Sequence, residues 1–498
     1  MNGENWLPLL VVLSPLLTGL LIFMLAEDRV KTRTVLNLGA ALLSLVLVII
    51  MLLGVFNGHQ YETRLALLPG LDLVLRADAL SMLFVVLSSG LWLLTTVYAI
   101  GYLEGSPHRS RFFGFFSLCV MATVGVALAG NLITFLLFYE LLTLVTYPLI
   151  VHRGTQEAYR AGRTYLVYTV AGGSALLVGT VWLYSLAGTL EFSQQGFVAH
   201  LPEVYRTQLI IIFVLLMAGL GVKAALVPFH GWLPQAMVAA APVSALLHAV
   251  AVVKAGAFGI VRVVHDVYGV EFAFSLGLTL PLAVLAAITI IYGSLRALFQ
   301  DDLKRRLAFS TVSQISYIIL GIAIVGPVAT VGGLVHLVHQ GVMKITLFFC
   351  AGNLAETLGI HKISEMQGVG RRMPWTMAAF TLAAFGMIGA PPMAGFISKW
   401  YLGLGALEAG HDWVIFVLIG SSLLNALYFL PVLYSAWFRE PVGHWPAERS
   451  FGRMETAVAL LAPPLVTAFL SLLLGLLASV PFSPLQWVRF ITTLEYLP

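Results

Sequence analysis

GLGVKAALVPFHGWLPQA, residues 219–236, sets one lysine, Lys223, inside an apolar run and then interrupts that run with Pro228 and Pro234. The run is apolar enough to predict a membrane span. Proline removes a backbone donor and clashes with the preceding turn, so the span is predicted to be broken. A broken helix at membrane depth is tolerated only where protein or a water-filled cavity satisfies the freed backbone groups. GMIGAPPMAGFISKW, residues 386–400, has the same make-up: Pro391 and Pro392 lie between Gly389 and Gly395, with Lys399 beside the break. Two interrupted spans in separate halves, each with a lysine at the interruption, predict an internal repeat with ion sites at its centre.

The whole chain fits that setting. Its 498 residues are 59% hydrophobic and only 10% charged, with a mean hydropathy of +0.94. A soluble domain carries about 25% charge, so an all-α integral membrane protein is expected. The net charge of +4 reads as positive-inside bias, not as a nucleic-acid footprint. Cys119 and Cys350 lie far apart in apolar segments, with no CxxC or Cys/His cluster, so neither iron–sulfur nor zinc sites are expected. P-loop, GxGxxG, HExxH and nucleophile-elbow motifs are missing too. The chain is therefore expected to hold no metal, cofactor or redox centre, and to be at most the ion-translocating subunit of a translocase. Met1–Trp6 lacks a basic n-region, which predicts that the first apolar run, about Trp6 to Ala26, is retained as a span.

Roughly fourteen spans are expected. Their centres lie near Leu16, Leu45, Leu87, Met121, Leu141, Leu176, Val214, Val253, Pro281, Ile315, Val342, Phe385, Ser421 and Phe469. If the N-terminus lies outside the cytoplasm, the loops after odd-numbered spans are cytoplasmic. Those loops hold eighteen basic residues and the opposite side holds five, Arg64, Arg76, Arg206, Arg262 and Arg489. Four lysines inside spans complete the 27. This asymmetry predicts a multi-pass protein of the cell membrane with both termini outside.

The four lysines are Lys223, Lys254, Lys344 and Lys399, joined within apolar stretches by Glu140, His248, His336 and His339. Each mid-membrane charge costs roughly 2.5–3.5 kcal/mol on an insertion scale, so five of them together cost on the order of 10–15 kcal/mol. Such residues mark ion paths, and imidazoles and amines suit protons. Glu140 sits mid-span in NLITFLLFYELLTLVTYPLI, residues 131–150, and Lys223 is its natural partner. At about 6 Å and an effective dielectric near 20 their pair energy is roughly 3 kcal/mol, enough to load or release a proton on a neighbour. Lys254 follows His248 by six residues in SALLHAVAVVKAGAFGIVR, residues 244–262, about 9 Å along one helix and about 120° around it. The two are read as stations joined through water, with small neighbours such as Gly256 leaving room. His336, His339, Gln340 and Lys344, in GGLVHLVHQGVMKITLFF at 332–349, share one broad helix face over roughly 12 Å. The two histidines lack a third metal ligand. Lys399 is read as the exit group, and the charge run Asp301–Arg306 as a solvated loop. A dehydrated sodium ion wants several oxygen ligands, and this axis offers only Glu140, so protons are favoured.

These motifs together resemble the antiporter-like subunits shared by respiratory complex I, membrane-bound hydrogenases and Mrp-type Na+/H+ antiporters. The matching stretches are FYELLTLVTYPLI, GVKAALVPFHGWLPQA, HAVAVVKAGAFGIVR, DDLKRRLAFSTVSQISY, LVHLVHQGVMKITLFF and APPMAGFISKW, within about Leu80 to Arg439. The resemblance implies fourteen helices and two inverted five-helix repeats. These are three N-terminal helices over 1–105, repeats over 106–266 and 267–440, and a last helix and tail over 441–498. It implies Glu140 and Lys223 as a switching pair, Lys254 as central relay, His336, His339 and Lys344 beyond it, and Lys399 as terminal proton site. It also implies small hydrophobic membrane subunits as partners, with Na+ or K+ as exchanged cation. The chain ends soon after its last span, and Lys399 stands where the complex I subunit next inward from the distal one usually carries glutamate in its twelfth span. Both features point to a D-like Mrp subunit. The alternatives are a pumping subunit of a complex I-like or hydrogenase-like redox complex, and a proton-coupled inorganic-carbon uptake subunit with a large soluble partner.

Overall fold

A computed structural model describes residues 6–68, 70–441 and 445–496; most of Met1–Trp6 lies outside them. The chain begins with α1 (Leu7–Phe23) and α2 (Val30–Phe56), followed by a hairpin of β1 (Tyr61–Leu68) and β2 (Leu71–Ala77). Next come α3 (Ala79–Tyr102), α4 (Arg109–Ala127), α5 (Leu132–Ile150), α6 (Gln156–Ala187) and α7 (Arg206–Lys223). Short α8 (Trp232–Gln235) leads into α9 (Ala241–Ala249) and α10 (Val252–Arg262), which passes into a π-helical turn, Val263–Tyr268. Then follow α11 (Val270–Ser275), α12 (Thr279–Leu298), α13 (Leu303–Ala323), α14 (Pro327–Leu358) and α15 (Val369–Arg372). The chain closes with α16 (Pro374–Ile388), α17 (Ala394–Glu408), α18 (Trp413–Phe438), α19 (Val458–Leu476) and α20 (Pro484–Tyr496).

Among the described residues, twelve helices are long and apolar enough to cross a membrane, and α1 and α16 are shorter apolar helices. Every expected span centre falls inside a helix. Several starts are written locally. Asp78, Asn131, Thr155 and Asp302 accept hydrogen bonds from backbone N–H groups three residues on, capping α3, α5, α6 and α13. Small residues let helices meet backbone to backbone: a Cβ on Gly256 of α10 would lie 2.3 Å from the amide nitrogen of Ala224, just after α7.

Two expectations are corrected. The chain is not all-α, because β1 and β2 pair antiparallel from Tyr61↔Ala77 to Leu68↔Leu71. Tyr61, Thr63, Leu75 and Ala77 bury one face of that hairpin. Four side chains fasten it: Arg64 and Arg76 both pair with Glu62 and with Glu191 of the α6–α7 loop. Burial alone would raise the Glu62 carboxyl, but hydrogen bonds from Arg76 and Arg64 outweigh it and hold it below its ordinary value. The second correction is that His248 and Lys254 do not share one helix. Val250 and Ala251 leave the helical region and separate α9 from α10, so the helical spacing expected between those two residues does not apply.

Loops sort into two groups. Glu27 after α1 accepts from the backbone of Arg109 and Ser110 at the start of α4, Arg111 reaches His152 after α5, and Asp301 accepts from Ser364 after α14. The hairpin, Glu191 and the end of α10 form the other group. The segment Ala241–Tyr268 and α14 are enclosed by the remaining helices, whereas α2, α6 and α18 turn residues such as Leu42, Val167 and Phe416 outward.

Candidate functional site

The breaks in the helices fall where the lysines are. α7 ends at Lys223; Ala225 is left-handed at φ +56°, and the chain resumes regular helix at Trp232. α16 ends at Ile388, Gly389 turns at φ +93°, and α17 starts at Ala394. Val227–Pro228 and Pro391–Pro392 are cis peptides. α9 and α10 form the third interrupted pair, and they lie at the centre of the bundle.

Lys223 is fully buried. Its Nζ donates to the Tyr139 carbonyl and stands 3.4 Å from the centre of the Tyr139 ring. Glu140, the next residue along α5, is half-buried, and its Oε1 is buried without a hydrogen-bond partner. The expected partners thus meet through Tyr139 instead of by a direct hydrogen bond. Gly173 on α6 makes room for the carboxylate, since a Cβ there would lie 2.2 Å from Oε1.

Lys254 sits in the first turn of α10 and donates to the Leu337 carbonyl of α14 at 2.5 Å, beside His336. His248, at the end of α9, has both ring nitrogens unpartnered and stacks on Phe348 of α14 with ring centres 4.5 Å apart. His336 shares a 2.8 Å hydrogen bond with the Ser398 hydroxyl, while its Nε2, both nitrogens of His339 and both polar atoms of Gln340 are buried without protein partners. Gln314 on α13 is in the same condition. Buried polar groups are normally satisfied, and where protein does not do so, ordered water does. α14 therefore carries a row of groups with free capacity toward water.

Beyond that row the hydrogen bonds become continuous. Lys344 donates to the Ser310 hydroxyl at 2.5 Å and to the Leu307 carbonyl at 3.1 Å. Tyr428 donates toward Ser310 at 3.0 Å and also contacts Asn425 Oδ1. Asn425 donates to the Met387 carbonyl at 3.0 Å. Lys399 donates to the same carbonyl at 3.1 Å, to Ile388 O at 2.8 Å and to the Ser422 hydroxyl at 2.9 Å. Helix C-termini leave carbonyls unsatisfied and carry negative partial charge, so a lysine reaching back to the end of α16 satisfies both. Ser310, Ser422, Asn425 and Tyr428 do not stand out in the sequence as the lysines do. The signal that finds them is a polar stripe at helical spacing (Ser421, Ser422, Asn425, Tyr428) in an otherwise apolar span.

Each of the four lysines thus donates to a main-chain carbonyl. Ammonium and neutral amine are both donors, so these anchors survive the gain or loss of a proton. A row of side chains held this way can exchange protons without being released from position.

Known proteins share this arrangement of sequence and fold. Residues 129–425 match the family model described as NADH:quinone oxidoreductase/Mrp antiporter, TM, and residues 70–113 match NADH-Ubiquinone oxidoreductase (complex I), chain 5 N-terminus. The chain is 35% identical over 489 residues to NADH-quinone oxidoreductase subunit N of Desulforudis audaxviator, covering 94% of this chain and 95% of that protein. It is 28% identical to the D-type Na(+)/H(+) antiporter protein of Bacillus subtilis, covering 96% and 94%. With NADH-quinone oxidoreductase subunit L of Mycobacterium tuberculosis it is 33% identical over 74% of this chain, but it spans only 58% of that protein's length. Among solved structures it resembles a chain of the Mrp complex from Dietzia sp. DQ12-45-1b, with a TM-score of 0.87 at 24% identity over 100% of this chain and 98% of that one. A chain of the archaeal membrane-bound sulfane sulfur reductase follows, with a TM-score of 0.86 at 23% identity over 99% and 98%. At those identities the structural likeness speaks to the fold. The family-model match over most of the chain, together with the full-length relative, carries the assignment: this multi-pass membrane protein belongs to the NADH:quinone oxidoreductase/Mrp antiporter transmembrane family.

Proposed function

We propose that the chain is the proton-translocating, antiporter-like subunit of a multisubunit membrane complex. It moves protons along Glu140, Lys223, Lys254, the His336, His339 and Lys344 row, and Lys399, with His248 beside the central relay. The observation that carries this reading is the set of four lysines, three fully buried and Lys399 partly so, each anchored to a carbonyl it keeps in either protonation state. Glu140 biases the charge on Lys223 across Tyr139. Lys254 takes the proton at the enclosed centre and the α14 row passes it on through water. The Ser310–Tyr428–Asn425 bonds hold Lys344 and Lys399 in one frame.

The chain is read as fourteen crossings, with α16 and α17 as halves of one. Helices α4 to α10, residues 106–266, and α12 to α18, within 267–440, form two inverted repeats. Residues 1–105 precede them and 441–498 follow. Pairs of interrupted spans in corresponding positions support the repeat. Both termini lie outside the cytoplasm, as the eighteen-to-five split of basic residues supports.

A D-like subunit of a cation/proton antiporter, working with small hydrophobic membrane subunits and exchanging protons for Na+ or K+, is the first assignment. It is supported by Lys399 at the second break and by the match over nearly full length to the Bacillus subtilis antiporter protein. A membrane-arm subunit of a redox pump is the second, favoured by the 35% identity to a quinone oxidoreductase subunit. Purifying the tagged chain in mild detergent and identifying its partners by mass separates them. Small membrane subunits without redox proteins establish the antiporter, and iron–sulfur or flavin subunits establish the pump. A single large soluble partner overturns both in favour of solute uptake.

A further inference from the structure

One cluster of titratable side chains lies outside the axis. It stands at the far end of α10 from Lys254, where the helix widens into the π-helical turn. The Arg262 side chain is only 3% exposed. It donates to Asp266 at 2.7 Å and to the two carboxylate oxygens of Asp78, the cap of α3, at 2.9 and 2.8 Å. Beside Asp266, His265 is buried and neither of its ring nitrogens has a hydrogen-bond partner. Its Nδ1 lies 3.7 Å from Oε2 of Glu495 on α20. Tyr496 meets the same ring edge-on and shares a 2.7 Å hydrogen bond with Thr330 of α14. Asp78, Arg262, Asp266 and Glu495 line a cleft of about 860 Å³ whose rim includes Arg64 and Arg76 of the hairpin. Those two arginines are occupied by Glu62 and Glu191.

A purely structural clamp accounts for Arg262 and its two carboxylates. It does not account for a buried histidine whose ring nitrogens have no hydrogen-bond partner, nor for a π-helical turn, a feature that concentrates at functional sites. Location adds to this. Eight residues of α10, about 12 Å, separate Lys254 from Arg262, and six residues of α14, about 9 Å, separate His336 from Thr330. Both helices that carry the centre of the axis therefore end at this cluster and its cleft.

We infer that His265 and Glu495 form a proton port between the central axis and the aqueous phase on the hairpin side of the membrane, with Arg262, Asp78 and Asp266 as fixed counter-charges. The inference rests on the proton-translocation reading above. A proton arriving through water binds an imidazole nitrogen of His265. Because 3.7 Å is too long for a direct hydrogen bond, it passes through a water to the Glu495 carboxylate, which releases it into the cleft and returns to its starting charge. No bond other than those to the proton forms or breaks.

The test uses the intact complex in membrane vesicles, with proton flux read by a pH-sensitive dye while the pH on the hairpin side is stepped. Glu495→Gln and His265→Gln are expected to slow flux at least about tenfold, a lower bound on what a positioned acid or base supplies. They should also flatten its dependence on hairpin-side pH, with the amount of assembled complex unchanged and with Glu495→Asp restoring both. His265→Gln alone carries the test if Glu495→Gln assembles poorly. Wild-type rate and pH profile in these variants, alongside loss of flux in Lys254→Ala, overturn the port and leave the axis standing. Normal flux in Lys254→Ala overturns the axis, and the port with it.

Discussion

The two proline-broken spans use their lysines in opposite ways. Lys223 is the last residue before its break, and it donates across the helix boundary to Tyr139 of α5. Lys399 comes after its break and reaches back to Met387 and Ile388, the final carbonyls of its own span's first half. The first lysine therefore reports on how α7 sits against α5, where Glu140 lies one residue away with an unpartnered oxygen. The second is clamped within one span and tied through Asn425, Tyr428 and Ser310 to Lys344. A lysine held by a single carbonyl beside a carboxylate oxygen without a hydrogen-bond partner suits switching, and a lysine in a closed network suits a fixed terminus.

Breaking the first region has the largest expected effect. Lys223→Ala and Glu140→Ala are each expected to abolish coupled transport, at least about a hundredfold, with assembly intact on native gels. Normal transport in both variants removes the pair from the mechanism. Lys399→Ala is expected to slow flux about tenfold and to change its pH dependence, because exchange with bulk water suffers. An unchanged rate and profile reduces it to an anchor for the α16 terminus. Tyr428→Phe sharpens the contrast further. It strips a partner from buried Ser310 and Asn425, so thermal unfolding of the complex should show a loss of about 1–3 kcal/mol, with a smaller decrease in flux than Lys399→Ala. A flux loss equal to that of Lys223→Ala would erase the distinction between the two regions.

The smallest effect lies outside both. Glu62 is held below its ordinary value in the fold, so its ion pairs stabilise the hairpin above the unfolded carboxylate range, near about 4.3, and that stability is lost as pH falls through the lower folded value. The pairs are partly exposed, so the loss is within about 1 kcal/mol. Hydrogen exchange across residues 61–77 should show protection that is flat near neutrality and weaker in acid. Protection that grows in acid contradicts the sign.

Much of this was readable in the chain because ionisable residues in apolar runs are outliers. Lys223, Lys254, Lys344, Lys399, Glu140 and the three histidines stand out for that reason, and Pro228 and Pro391 flag two of the three breaks. The break between α9 and α10 carries no such flag: Val250 and Ala251 are neither proline nor glycine, and the local sequence reads as uninterrupted helix. The hairpin could have been read from its alternation around Pro-Gly, yet its apolar strands also resemble flanks of a span.

Hydropathy, proline and buried charge act locally, so the order of residues already dictates that this chain crosses a membrane many times, where most helices lie and which ionisable side chains are taken out of water. What those side chains meet is set by how the helices pack. Tyr139 stands between Lys223 and Glu140, Leu337 offers its carbonyl to Lys254, Gly173 vacates the space for a carboxylate, and Tyr428 completes the frame around Lys399. Such partners come from helices distant in the chain, and hydrogen bonds and close packing depend on positions to within a few tenths of an ångström, which no local pattern encodes.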